Sequence, residues 1–169
     1  MIDTVTGWES TQGQTDDGAV ESEQRVLLDA PAVAFDRVGA ARLGERYWVE
    51  VRGTTHGLVR SRMRGDRLQL RILGRGPVLL SFGRPALDVT PTRVACRFPI
   101  EGGLLAQRGA GELTFTQTAG ERVELRSAIR GFYPRLAAGS GRLYSAVQSR
   151  IHVAISRRYF ARLAREAGS

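Results

Sequence analysis

Few side chains in this sequence can do acid–base or nucleophilic chemistry, and their placement decides what each is good for. The histidines are His56 and His152, and the one cysteine is Cys96. His56 opens an expected strand in TTHGLVR, and its near-neutral titration suits a general acid or base. A plain turn histidine in water is the competing reading. Glu101 precedes Gly102-Gly103, a turn or bulge that would aim its carboxylate at a ligand. Tyr133, in GFYP, completes the candidate catalytic set of His56, Glu101 and Tyr133. Glu50 shares strand parity with Arg46 and Arg52, which points to a surface ion pair. His152 falls opposite Leu143 on a helical wheel and is expected to face water.

Other chemistries find no support. There is no phosphate-binding loop, and Gly109 and Gly111 precede a strand, so a dinucleotide fingerprint fails. Two histidines without nearby acids do not make a zinc site, and no hydrolase triad has a supporting motif. No metal or cofactor is therefore expected. The Arg-Gly-Asp triplet at Arg64 to Asp66 reads as a hairpin turn.

A second class of residue could line an apolar pocket. Tyr47, Val49, Met63, Leu70, Phe82, Phe98, Phe115 and Ile151 fall on the apolar faces of their elements. Tyr144 and Tyr133 could stand at a rim. Ser127, with Ser61 and Cys96, places a small polar group on such a face and could orient a ligand. Ordinary core packing is the alternative for all of them.

These residues need elements to hold them. From Arg46 to Tyr133 the apolar period is two. RYWVEVRG, HGLVRSRMR, RLQLRIL, PVLLSFG, PALDV, RVACRFPI, GELTFTQT and ERVELRSAIRG each alternate an aliphatic or aromatic face with an arginine face. Gly65-Asp66, Gly74 to Pro77, Gly83-Arg84-Pro85 and Ala119-Gly120 punctuate them. About seven or eight strands in a curved antiparallel meander follow. Gln24 to Asp29 forms an earlier short strand, and Ala32 to Leu43 a short helix or two turns. Gly141 to Ala167 is the one long segment with a helical period. Leu143, Val147, Ile151, Ala154 and Ile155 share a face, Ala137 to Gly141 makes a joint, and Ser140 is an N-cap candidate. A sheet with one apolar face needs a cover, and this helix is the large one on offer.

The 169 residues suffice for one domain over 24–169, after an acidic tail over 1–23 expected to be disordered. No run of about 18 apolar residues occurs, so no membrane span is expected. The first residues lack the basic start and apolar core of a signal peptide, and a cytoplasmic location is expected. All 25 basic residues are arginine, and six of the 17 acids precede the first of them, Arg25. So basic a body could attract an anionic partner. The arginines are spread over nearly every strand rather than clustered with aromatics, which argues against nucleic acid.

The order of short strand, short helical segment, curved meander and long C-terminal helix resembles the helix-grip fold of the START-like, or SRPBCC, superfamily. That superfamily includes polyketide cyclases and lipid-transfer domains. The passage through Gly131-Phe132-Tyr133-Pro134 into SAVQSRIHVAISRRYFARL resembles it most. The resemblance implies an α+β fold with a cavity between sheet and helix that takes a hydrophobic small molecule, as a carrier or a cyclase-type enzyme. A closed lipocalin-like barrel with an appended helix is the rival architecture. The rival functions are an interaction module using the arginine surface, and a self-associating domain that dimerises through Trp48 or the outer sheet face.

Overall fold

The structure, a computed structural model, describes residues 6–135 and 141–168, with side chains of the last helix from Arg150 onward. Among them the order is β1 (Thr6–Gln14), β2 (Val20–Leu28), α1 (Arg37–Thr54), β3 (Val59–Arg64), β4 (Arg67–Ile72), β5 (Val78–Phe82), β6 (Ala86–Thr90), β7 (Arg93–Gly102), β8 (Glu112–Thr118), β9 (Val123–Phe132) and α2 (Gly141–Ala167). The strands pair antiparallel in one open sheet, β1-β2-β9-β8-β7-β5-β4-β3, with β6 also on β7. The fold is therefore α+β, a large antiparallel sheet covered by helices, and the closed-barrel alternative falls. At Gly83-Arg84-Pro85 the chain leaves β5 and enters β6, so β7 meets β6 along its first half and β5 at its end. The joint at Ala137 to Ser140 lies outside the described residues.

The largest correction is α1. RYWVEVRG was expected to be a strand, yet it is the second half of an 18-residue helix. Its alternation is real, but Ala40, Leu43, Tyr47 and Val51 are all buried and carry a helical period across the whole segment. Asp36 caps the helix, its carboxylate accepting from Gly39 N at 2.7 Å. The chain leaves the helix through Thr55, His56 (φ 51°) and Gly57 (φ 79°). Gly44 lets α1 lie close on the sheet: a Cβ there would sit 2.8 Å from the Phe98 ring and 2.9 Å from Cys96 Sγ. Val49 consequently points outward and is 43% exposed.

The acidic stretch over 1–23 is the second correction. Thr6–Gln14 is a strand, and β2 begins at Val20 rather than Gln24. β1 has almost no buried side, so composition hid it. Its backbone pairs with β2, and Trp8 packs edge-on against Phe160 at 5.8 Å.

α2 does not cover the sheet alone. α1 packs on β7, β6, β3 and β8, while α2 packs on α1 and β2. Ile155, Tyr159, Phe160 and Leu163 are the buried face of α2. Ion pairs lace the two helices: the buried Glu50 carboxylate meets Arg162 and, at 3.6 Å, Arg158, and Glu166 meets Arg42 at 3.0 Å and Arg46 at 3.1 Å. Glu50 is thus an interhelical contact, not a surface pair with Arg46 and Arg52. Gln117 of β8 pins the loop before α1. Its Oε1 accepts from Ala32 N at 2.8 Å and Val33 N at 3.0 Å, and its Nε2 donates to Val33 O at 2.8 Å.

Candidate ligand cavity

Between the helices and the sheet lies a cavity of about 1030 Å³. Its walls come from many elements. α1 supplies Tyr47, Trp48 and Val51; β4 and β5 supply Leu70, Leu80 and Phe82; β9 supplies Ile129 and Phe132; α2 supplies Ile151, His152 and Ile155. The cavity exists because the side chains that α1, α2 and the sheet turn toward one another do not fill the space between them. Mostly apolar walls with a few polar groups are the usual character of a small-molecule site.

Two polar groupings interrupt the apolar wall. In the first, Tyr47 Oη lies 3.1 Å from His152 Nδ1. Burial pushes the His152 imidazole down to about 4 and raises the Tyr47 phenol, so both are neutral at physiological pH. His152 Nε2 and Trp48 Nε1 are buried polar atoms without a hydrogen-bond partner among the described residues. In the second, the β1–β2 turn brings Asp17 to Tyr133 on the far side of β9. The Tyr133 hydroxyl donates to the Asp17 carboxylate, and Thr15 Oγ1 donates to it at 2.5 Å. The Thr15 bond, then the Tyr133 bond, hold the Asp17 carboxyl below its usual range. Arg108 stacks 3.6 Å over the Tyr133 ring. Asp17, Tyr133, Gln12, Gln14 and Gln107 all border the cavity.

Of the expected lining residues, Tyr47, Leu70, Phe82 and Ile151 do line the cavity, although Ile151 is 44% exposed. Phe98 and Phe115 instead fill the solid core beneath it. Phe98 packs 5.1 Å from Trp48, and Phe115 packs 4.5 Å from Tyr47. Ser127 is buried in β9 away from the cavity. Val49 faces away because its segment is helical. Met63 is 53% exposed because β3 is an edge strand that runs past the helical cover. Cys96 is buried under Gly44, and desolvation pushes its thiol up to about 12, so it is a packing residue. The Tyr144 side chain lies outside the described residues.

Of the catalytic candidates, only Tyr133 borders the cavity. His56 sits exposed in the α1–β3 turn, and Glu101 is an exposed partner of Arg67 at 3.3 Å. The grouping at a single site fails because strand parity carries no information about where strand ends meet in space. Sequence reasoning missed His152, Trp48 and Asp17. The signal for His152 was available: it precedes Ile155 by three residues and Tyr159 by seven, and so shares their face. Extrapolating from Leu143 placed that face on the wrong side. Trp48, expected on the surface, is buried against Phe82 and Phe98.

No protein-family model matches the chain, and no curated protein gives a significant match. Solved structures similar to it include CalU16 from Micromonospora echinospora, at 14% identity, covering 96% of this chain and 92% of that one with a TM-score of 0.35. Ara h 8.0201 is another, at 12% identity, covering 92% of this chain and 99% of that one with a TM-score of 0.39.

Proposed function

We propose that this protein binds a hydrophobic small molecule in the cavity between its helices and its sheet. The observation that carries the reading is the cavity itself: about 1030 Å³, with walls from α1, α2 and most strands, lined mainly by aliphatic and aromatic side chains. Removing an apolar molecule of that size from water is strongly favourable. The neutral Tyr47–His152 pair gives the wall one hydrogen-bonding point at no charge-desolvation cost. Two of the three catalytic candidates, His56 and Glu101, lie outside the cavity, so the proposal is for binding and assigns no catalytic step. Self-association through Trp48 loses its basis, because that ring is buried.

Nile red titration tests the reading. Wild-type protein should blue-shift and brighten the dye with a dissociation constant on the order of micromolar. Leu80→Trp places an indole in the void and should weaken binding while the far-ultraviolet circular dichroism is unchanged. No dye binding by the wild type, or equal binding by a folded Leu80→Trp variant, would sink the proposal.

A further inference from the structure

The β3–β4 hairpin carries an arrangement that folding alone does not favour. In this antiparallel pair, Arg60 lies opposite Arg71, Arg62 opposite Gln69, and Arg64 opposite Arg67. Directly opposed residues share a face, so five arginines stand on one side of a short two-stranded ribbon. That side faces away from the helices, since Leu68 and Leu70 of β4 are buried on the other. Two of the three cross-strand pairs set like charges opposite each other, which destabilises a hairpin. Little relieves them. Arg67 meets Glu101, but Arg60 bonds only the Gly57 carbonyl, and Arg71 bonds Gln69 and the Gly76 carbonyl. Arg62 and Arg64 have no acidic partner among the described residues. Elsewhere most sheet arginines are neutralised, Arg93 excepted: Arg25 by Glu9 and Glu124, Arg97 by Asp88, and Arg126 and Arg130 by Glu23.

We infer that this hairpin docks on an anionic lipid bilayer. Two features select a bilayer over nucleic acid. The segment from Leu58 to Gly76 contains no aromatic residue, so no base can stack on it. Exposed apolar side chains stand beside the arginines instead: Leu58 and Leu73 at the base of the hairpin, where Leu73 N donates to Leu58 O. Arginine with protruding aliphatic side chains suits the headgroup boundary. The same strands give Val59 and Leu70 to the cavity wall on their other face. The inference does not depend on the cavity being filled.

Vesicle co-sedimentation of the full chain tests it, comparing phosphatidylcholine alone with a mixture containing phosphatidylglycerol. Binding is expected only to the anionic vesicles and should fall steeply with added salt. Each arginine near such a surface strengthens binding about fivefold, so the triple variant Arg60→Glu, Arg62→Glu, Arg64→Glu should lose at least a hundredfold. The same variant replaces two like-charge pairs with opposite-charge ones and should melt no lower than wild type, which separates lost docking from lost folding. Equal binding to both vesicle types, no binding to either, or an unchanged affinity in the triple variant overturns the inference. So does binding to single-stranded oligonucleotide without binding to anionic vesicles.

Discussion

Acidification should weaken this fold through His152, and the size of the effect follows from where the imidazole sits. Burial lowers the His152 pKa from its ordinary 6.5 to about 4 in the folded chain. The unfolded chain takes up the proton near 6.5, so between those values it binds more protons than the folded one. Stability is therefore constant above about pH 6.5 and falls as the pH drops through the window toward 4. At pH 5 the unfolded imidazole is almost fully charged and the folded one almost fully neutral, which costs about 2 kcal/mol relative to pH 7. The full loss below pH 4 is about 3 kcal/mol, a large share of an ordinary domain's stability. The Asp17 carboxyl, held below 3.8, loses its stabilising contacts only at still lower pH, so the two windows separate. The assay is urea unfolding of wild type and His152→Leu at pH 7, 6 and 5, followed by circular dichroism. The wild type should lose about 2 kcal/mol relative to the variant over that range. A gap between the two proteins that stays flat from pH 7 to pH 5 would refute the burial of a neutral imidazole.

Two further outcomes test the framework around the cavity. Gln117→Leu strands two buried amides and a carbonyl of the loop before α1, and should cost about 3–5 kcal/mol in urea unfolding. Gly44→Val drives a branched side chain into Phe98 and Cys96, and should lower stability by about 1–3 kcal/mol, with α1 pushed off the sheet and dye binding weakened alongside.

The strands from β3 to β9 were legible because each alternates apolar and polar residues between glycine or proline turns. The long C-terminal helix was legible for the converse reason. α1 was not, because Tyr47, Val49 and Val51 alternate as well as any strand while the helical period shows only when Ala40 and Leu43 are included. β1 was hidden because its pairing uses backbone groups, which composition does not record. Within the candidate site, Tyr47, Leu70 and Phe82 were legible as large apolar residues, but wall and solid core share one vocabulary: Phe98 and Phe115 look the same in sequence and fill the core.

Local pattern sufficed for the fold class, since hydrophobic period is written residue by residue. Tertiary structure alone decided the rest. It put His152 of α2 against Tyr47 of α1 and turned Glu50 into an interhelical ion pair. It left a void where α1 and α2 meet the sheet. Each of these depends on register, crossing and splay between elements distant in the chain, and those are properties of the packed whole.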